Sequence, residues 1–419
     1  MNHPGIDRRR AMPAPPVFAF TFTNSLGSGV ITSGIYFLTS NAYGFNRAEN
    51  YLLGVLQGLT YVIAAFMAGS LVRRIRKTTG LSTRSLLVFL MGIMALLGAL
   101  PWLAGTFFGG IGRPTAWSIW VTVIIYSPLT GVMWPIVESF LSGGLRNESL
   151  RSRVGWWNVA WSSALVVAYF GVSPLVQDKA AIALLGLGCV HLASAGLLPF
   201  FPSEPPVHLD ETPHVVPETY PALLATFRVL LPASYLLMAA LSPYLPKAMS
   251  TLGVAASMQM ALSAAWLLPR TLMFALLQKW QGWHGQWWHA AVAVVLLLGG
   301  FSASVLSAST VGGQSGLILL ITGLACFGLG VAMTYCGAIY YALEVGQAEV
   351  DAGGTHEALI GAGYTAGPAI GFAASLGVRN GFIGEGAFEG VILAVAAGVA
   401  VLASAVVIRK SLHGRRRPK

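Results

Sequence analysis

Charge is what this sequence has least of. Asp, Glu, Lys and Arg make up 10% of the 419 residues against 55% hydrophobic ones, too little polar side chain to clothe a soluble globule of that length. Cysteine is nearly absent, and Cys189, Cys326 and Cys336 each fall in an apolar run, without the spacing of a disulfide framework or a thiolate metal site. No G-x-x-x-x-G-K phosphate loop occurs, which excludes ATP-driven work by this chain. A nucleophile elbow and a zinc-binding helix are missing too. The chain is therefore not read as an enzyme, and no cofactor or metal is expected. Segments of about ten residues with alternating hydrophobicity are absent, which argues against a membrane β-barrel. The formal charge of +10 is not gathered on any water-facing domain, so nucleic acid is excluded as a partner.

What is present is long apolar runs. Crossing about 30 Å of hydrocarbon takes roughly 20 helical residues, and twelve windows qualify: 16–40, 50–72, 85–105, 116–143, 153–177, 179–201, 223–246, 253–279, 287–309, 314–343, 357–377 and 386–408. The expected fold is an all-α membrane protein with twelve transmembrane helices, and its first partner is the lipid bilayer. Basic residues near helix ends stay preferentially on the cytoplasmic side. With the N-terminus inside, all 25 Lys and Arg fall on that side except Arg47, Arg113, Lys179, Lys247 and Arg379. The expectation is a multi-pass protein of the inner (plasma) membrane with both termini cytoplasmic. The first apolar segment after "DRRR" is long enough to be a retained helix rather than a cleaved signal peptide. The tail "RKSLHGRRRPK" reads as a topology anchor near anionic lipid.

Between the sixth and seventh spans lies "PSEPPVHLDETPHVVPETYP", the longest polar stretch, rich in proline and acid, which reads as a linker between halves. The organisation expected is a cytoplasmic N-terminus (1–15), a six-helix bundle (16–201), the linker (202–222), a second six-helix bundle (223–408) and the basic tail (409–419). The halves resemble one another weakly: "LTGVMWPIVESFLSGG" in the fourth span aligns with "GLGVAMTYCGAIYYALEVG" in the tenth. A two-fold repeat of six-helix units is what an alternating-access transporter shows.

Twelve spans with both ends inside, a central linker and a basic loop after the second span resemble the major facilitator superfamily of secondary transporters, over essentially the whole chain. The family signature G-x-L-a-D-r-x-G-r-k falls on "GSLVRRIRKTTG", where Gly69, Leu71, Arg74 and Lys77 fit. Arg73 stands at the Asp position and Arg76 at the second Gly, so topology carries most of the resemblance. The fourth span, "IIYSPLTGVMW", lacks the arginine of the family's proton antiporters. "GAGYTAGPAIG" resembles the antiporter glycine-proline motif but lies in the eleventh span, where small residues and a proline also serve close packing and a kink. The resemblance implies a gate between the second loop and the start of the eleventh helix. Since Arg73 replaces the Asp there, Arg73 or Arg74 pairing with Glu357 is one expectation. The other is that Glu357, after a Thr355 cap and beside His356, only completes a helix start.

Glu138 ends a stripe with Trp134, Gly131 and Ser127 on one face of the fourth span, the helix that lines the central cavity in this superfamily. On the eighth span Gln259, Ser263, Trp266 and Arg270 form a similar stripe, and an arginine that deep needs a carboxylate, a substrate anion or water. With Asn158 and Trp161 of the fifth span, Glu138 and Arg270 are expected to form a polar cluster on the cytoplasmic side of the cavity. Three roles stay open for Glu138: a coupling-proton site, an ion pair with Arg270 that opens and closes between halves, or a permanent buried pair.

The remaining candidate lining groups are Thr21, Asn24 and Ser28 of the first span, Gln57 and Tyr61 of the second, Tyr235 and Ser242 of the seventh, Tyr335 and Tyr340 of the tenth, and Tyr364 of the eleventh. Hydroxyls, amides and rings with few charges suit a small neutral or weakly charged organic solute. The expected function is secondary active transport by a monomer, coupled to protons, with import and efflux both open. An uncoupled sugar- or nucleoside-type facilitator and a transport-dead membrane sensor are the alternatives. In "WQGWHGQWWHA", His284 and His289 read as part of an interfacial belt rather than a metal site.

Overall fold

The computed structural model describes residues 11–207, 209, 216–345 and 350–414. Arg8 to Arg10, part of the linker and the last five residues lie outside the described residues. Twelve helical spans follow one another: α1 (14–42), α2 (Arg47–Thr79), α3 (Thr83–Phe107), α4 (Trp117–Ser142), α5 (Asn147–Val172), α6 (Ala180–Ala195), α7 (Thr219–Leu241), α8 (Ala256–Lys279), α9 (Trp287–Leu306), α10 (Gly313–Glu344), α11 (Val350–Arg379) and α12 (Phe388–Gly414). Eleven of these regions are individually long and apolar enough to cross a membrane. The exception, α1, is interrupted by a π turn at Val30–Gly34 between Ala14–Gly29 and Ile35–Ala42. Large apolar side chains such as Phe66, Leu96, Phe107 and Val295 stand on the outer surface, as a lipid-facing belt requires.

Local chemistry explains several boundaries. α2 opens on a capping box: the Glu49 amide donates to Asn46 Oδ1 at 3.0 Å, and the Asn46 amide to Glu49 Oε2 at 2.8 Å. It ends at Gly80, whose φ of 72° is a conformation L side chains rarely adopt. The basic loop expected after the second span is thus mostly helix, with Arg73 and Arg74 exposed on its last turns. α8 breaks after Ser263 and resumes at Leu267. α11 begins at Val350, so Thr355 is inside the helix and Glu357 stands about two turns from its start.

The packing repeats with a shift of six. Within helices 1–6, α2 packs on α4, α1 on α5 and α6, and α3 on α4 and α6; within helices 7–12, α8 packs on α10, α7 on α11 and α12, and α9 on α10 and α12. Contacts between the halves obey the same rule, since α2–α11 and α5–α8 exchange under it. The two seams differ in chemistry. Along α2–α11 a Cβ on Gly58 would lie 2.5 Å from the backbone of Tyr364, one on Gly54 2.9 Å from Pro368, and one on Gly371 2.1 Å from the Tyr51 ring. Only hydrogen side chains permit that approach. Of the other glycines of "GAGYTAGPAIG", Gly361 lies against Val62 of α2, and Gly363 and Gly367 press instead on the backbone of α7. The motif is therefore helix packing on two faces. Along α5–α8 the seam is hydroxylic, with Ser162 Oγ and Thr271 Oγ1 2.7 Å apart, and Ser173, just past α5, accepting from the Ala261 amide at 2.9 Å.

On the side opposite the termini, Arg47 pairs with Glu385 at 2.6 Å, Tyr51 donates to the Ala240 carbonyl at 2.9 Å, and Asn41 donates to Gln259 at 3.1 Å. These contacts join the two halves there.

Candidate functional site

A cavity of about 120 Å³ lies between the halves. α1 contributes Ser25, Ser28, Thr32 and Ser33, the last two from the π turn, which widens the helix at that point. The Thr32 carbonyl accepts from Gln57 Nε2 at 2.9 Å, and Gln57 Oε1 accepts from Tyr36 at 3.3 Å. Across the cavity stand Trp134, Trp157 and Trp161, then Tyr235, Trp266, Tyr335 and Tyr364 of the second half. Edge contacts lock these rings: Tyr235 to Tyr364 at 5.3 Å and Trp161 to Tyr335 at 5.9 Å between centroids.

Two charged features border this space. At one wall, Glu357 of α11, 6% exposed, accepts a hydrogen bond from the Tyr61 hydroxyl of α2 and meets the carboxyl of Glu138 on α4. Two carboxyls in hydrogen-bond contact can share one proton, on either acid. At another wall, Arg270 of α8 lies between two indoles, its guanidinium 4.6 Å from the Trp161 centroid and 4.5 Å from that of Trp266. Its Nε donates to Ser162 Oγ at 3.2 Å.

No protein-family model and no curated protein matches the sequence. Solved structures do match. The nucleoside transporter NupG aligns with 97% of this chain and 99% of its own, at 14% identity and a TM-score of 0.60. A bacterial homologue of the human lysosomal transporter Spinster, in an inward-facing and unoccupied conformation, aligns with 97% of this chain and 98% of its own, at 13% identity and a TM-score of 0.64. The fold is that of the major facilitator superfamily.

Within the major facilitator fold several expected residues meet at the cavity: Ser28, Gln57, Tyr61, Trp134, Trp161, Tyr235, Trp266, Arg270, Tyr335, Glu357 and Tyr364 line it. Others do not. Asn24 is buried inside the first half, where His191 Nδ1 contacts its Oδ1 at 2.8 Å and its Nδ2 donates to the Phe20 carbonyl. Asn158 accepts from Trp161 Nε1 at 3.0 Å and faces a second cavity of about 330 Å³ towards the termini. Gln259 serves the far-side contact with Asn41, because the break in α8 separates it from Arg270. The expected cluster of Glu138 with Arg270 is corrected: Glu138 faces Glu357, and the ionisable neighbours of Arg270 are the phenols of Tyr169, Tyr235, Tyr335 and Tyr364. The latch between Arg73 or Arg74 and Glu357 is not formed either. Arg73 lies twelve residues beyond Tyr61 on α2, about 18 Å along the helix, and is exposed.

Sequence reading missed Thr32 and Ser33, whose exposure to the cavity depends on the π turn, and Trp157, which donates to Thr21 at 2.8 Å. It also missed the Tyr61–Glu357–Glu138 chain, which joins three helices from two halves.

Proposed function

We propose that the chain is a secondary transporter of the inner membrane that moves a small polar organic solute by rocking one half on the other, coupled to protons. The observation that carries this reading is the contact between the carboxyls of Glu138 and Glu357. The two carboxyls come from α4 and α11, on opposite halves, and that of Glu357 lines the cavity between those halves. With the proton in place they attract; with it lost, two adjacent carboxylates repel across the seam. Proton binding and the relative position of the halves are thereby one equilibrium. The fold shared with two transporters supports the rocking motion, and the ring-lined cavity supports an organic cargo. The excess of Lys and Arg on the side of the termini supports a cytoplasmic orientation for both.

The test is uptake into proteoliposomes of a pooled metabolite library with and without a pH gradient. Wild type is expected to concentrate at least one compound only under the gradient. Glu138→Gln and Glu357→Gln are expected to exchange that compound across the membrane without concentrating it. Equal accumulation by wild type and both variants rules out the carboxyl pair as the coupling site.

A further inference from the structure

Arg270 brings a positive charge to the cavity wall without meeting an acid among the described residues. It is 2% exposed, takes part in none of the ion pairs among the described residues, and among those residues its Nη2 has no hydrogen-bond partner. A buried guanidinium costs desolvation that only an anion or a full set of acceptors offsets. The groups around it are rings and phenols, which stabilise a cation weakly and supply no counter-charge. Ser162 holds the Nε and so fixes the plane of the guanidinium.

We propose that Arg270 receives the carboxylate of a small aromatic acid, with the acid's ring held among the indoles and phenols of the cavity. Three features select that class. The planar fork of a guanidinium matches a carboxylate. Among the described residues Arg270 is the only cationic side chain lining the cavity, so a monoanion is balanced and a phosphate dianion is not. Trp161 and Trp266 each present a ring to the guanidinium, at 4.6 and 4.5 Å, so a flat apolar body attached to the carboxylate meets aromatic surface beside it. The inference rests on the transporter reading and sharpens it: a monoanion carried with the single proton of the Glu138–Glu357 pair crosses without net charge.

The experiment is binding to the purified full-length protein in detergent at pH 7.5, followed by tryptophan fluorescence and thermal unfolding. The probes are matched acids and amides: benzoate and benzamide, phenylacetate and phenylacetamide, nicotinate and nicotinamide, indole-3-acetate and indole-3-acetamide, with phenyl phosphate as the dianion. At least one carboxylate is expected to bind about tenfold more tightly than its amide. That ratio falls to about one in Arg270→Gln and is partly kept in Arg270→Lys, which retains the charge but not the fork. The proposal is overturned if no carboxylate outbinds its amide, if phenyl phosphate outbinds the carboxylates, or if the preference survives Arg270→Gln. Should that variant not fold, the wild-type comparison and Arg270→Lys decide. No gradient enters the assay. A carboxylate preference without gradient-driven accumulation would keep this site and remove the coupling reading, and accumulation without the preference would do the reverse.

Discussion

The buried side chain of His191 shows one use of a scarce resource, polar groups spent wholly on packing. His191 is fully satisfied: Tyr126 stands 2.7 Å from Nε2, and Asn24 Oδ1 is 2.8 Å from Nδ1. Because Asn24 Nδ2 donates to Phe20, its Oδ1 must accept. Nδ1 therefore carries the proton, and Nε2 accepts from the tyrosine. Such a closed set fixes helix packing and leaves nothing for a solute. Replacing it, as in His191→Phe, strands the Tyr126 hydroxyl and the Asn24 oxygen, and is expected to cost about 1–3 kcal/mol, read as a lowered midpoint of thermal unfolding with solute selectivity unchanged. His284 makes a different pH prediction. It stacks on Tyr340 at 4.0 Å in the loop before α9, and burial holds its imidazole below the usual value of 6.5. The folded protein thus binds its proton less readily than the unfolded chain. Its effect on stability vanishes above about pH 6.5 and becomes destabilising as pH falls through that value. A melting curve that drops between pH 7 and 5 in wild type and flattens in His284→Phe is the expected outcome.

At the scale of elements, the α2–α11 seam has no slack. A Cβ at Gly58 would meet the Tyr364 and Thr365 backbone, at 2.5 and 2.6 Å, and backbone cannot swing aside. Gly58→Ala is expected to cost about 1–3 kcal/mol and to slow uptake, since α2 carries Tyr61 to Glu357; an unchanged melting point and uptake rate would contradict this. The spans themselves were legible in the sequence, because twenty apolar residues have few alternatives, and so was a wall of Gln57, Tyr61, Trp134 and Tyr364. The break in α8 was not, as nothing in "ALSAAWLLPR" signals a helix stop. Neither was the start of α11, because "EVDAGGTHEAL" contains polar and glycine residues that read as loop. That misplacement set Glu357 in the first turn of the helix, after a Thr355 cap. Which acid meets which base across two halves is set by tertiary packing, and periodicity along one helix carries no information about it; hence the pairing of Glu138 with Arg270 had to be corrected.

For the whole molecule, an ion pair also joins the halves on the side of the termini. Arg151 and Glu344 join α5 to α10 at 3.1 Å beside the second cavity. Partly exposed pairs of this kind contribute about 0–1 kcal/mol. Arg151→Gln is therefore expected to raise the alkylation rate of Cys336, a free cysteine in that cavity wall, by no more than about fivefold. Peptide mass spectrometry separates this site from Cys189 and Cys326, and restoration by Arg151→Glu with Glu344→Arg would assign the change to the pair.

The two seams also differ in what water meets as they open. When α5 parts from α8, Ser162, Thr271 and Ser173 each turn a hydroxyl towards the gap. When α2 parts from α11, the stretch at Gly54 and Gly371 reveals the faces of Pro368 and Tyr51, while Tyr61 and Glu357 lose their contact and turn a phenol and a carboxyl to the gap. Water entering the α5–α8 flank therefore meets hydroxyls, and water entering the α2–α11 flank is drawn to the carboxyl.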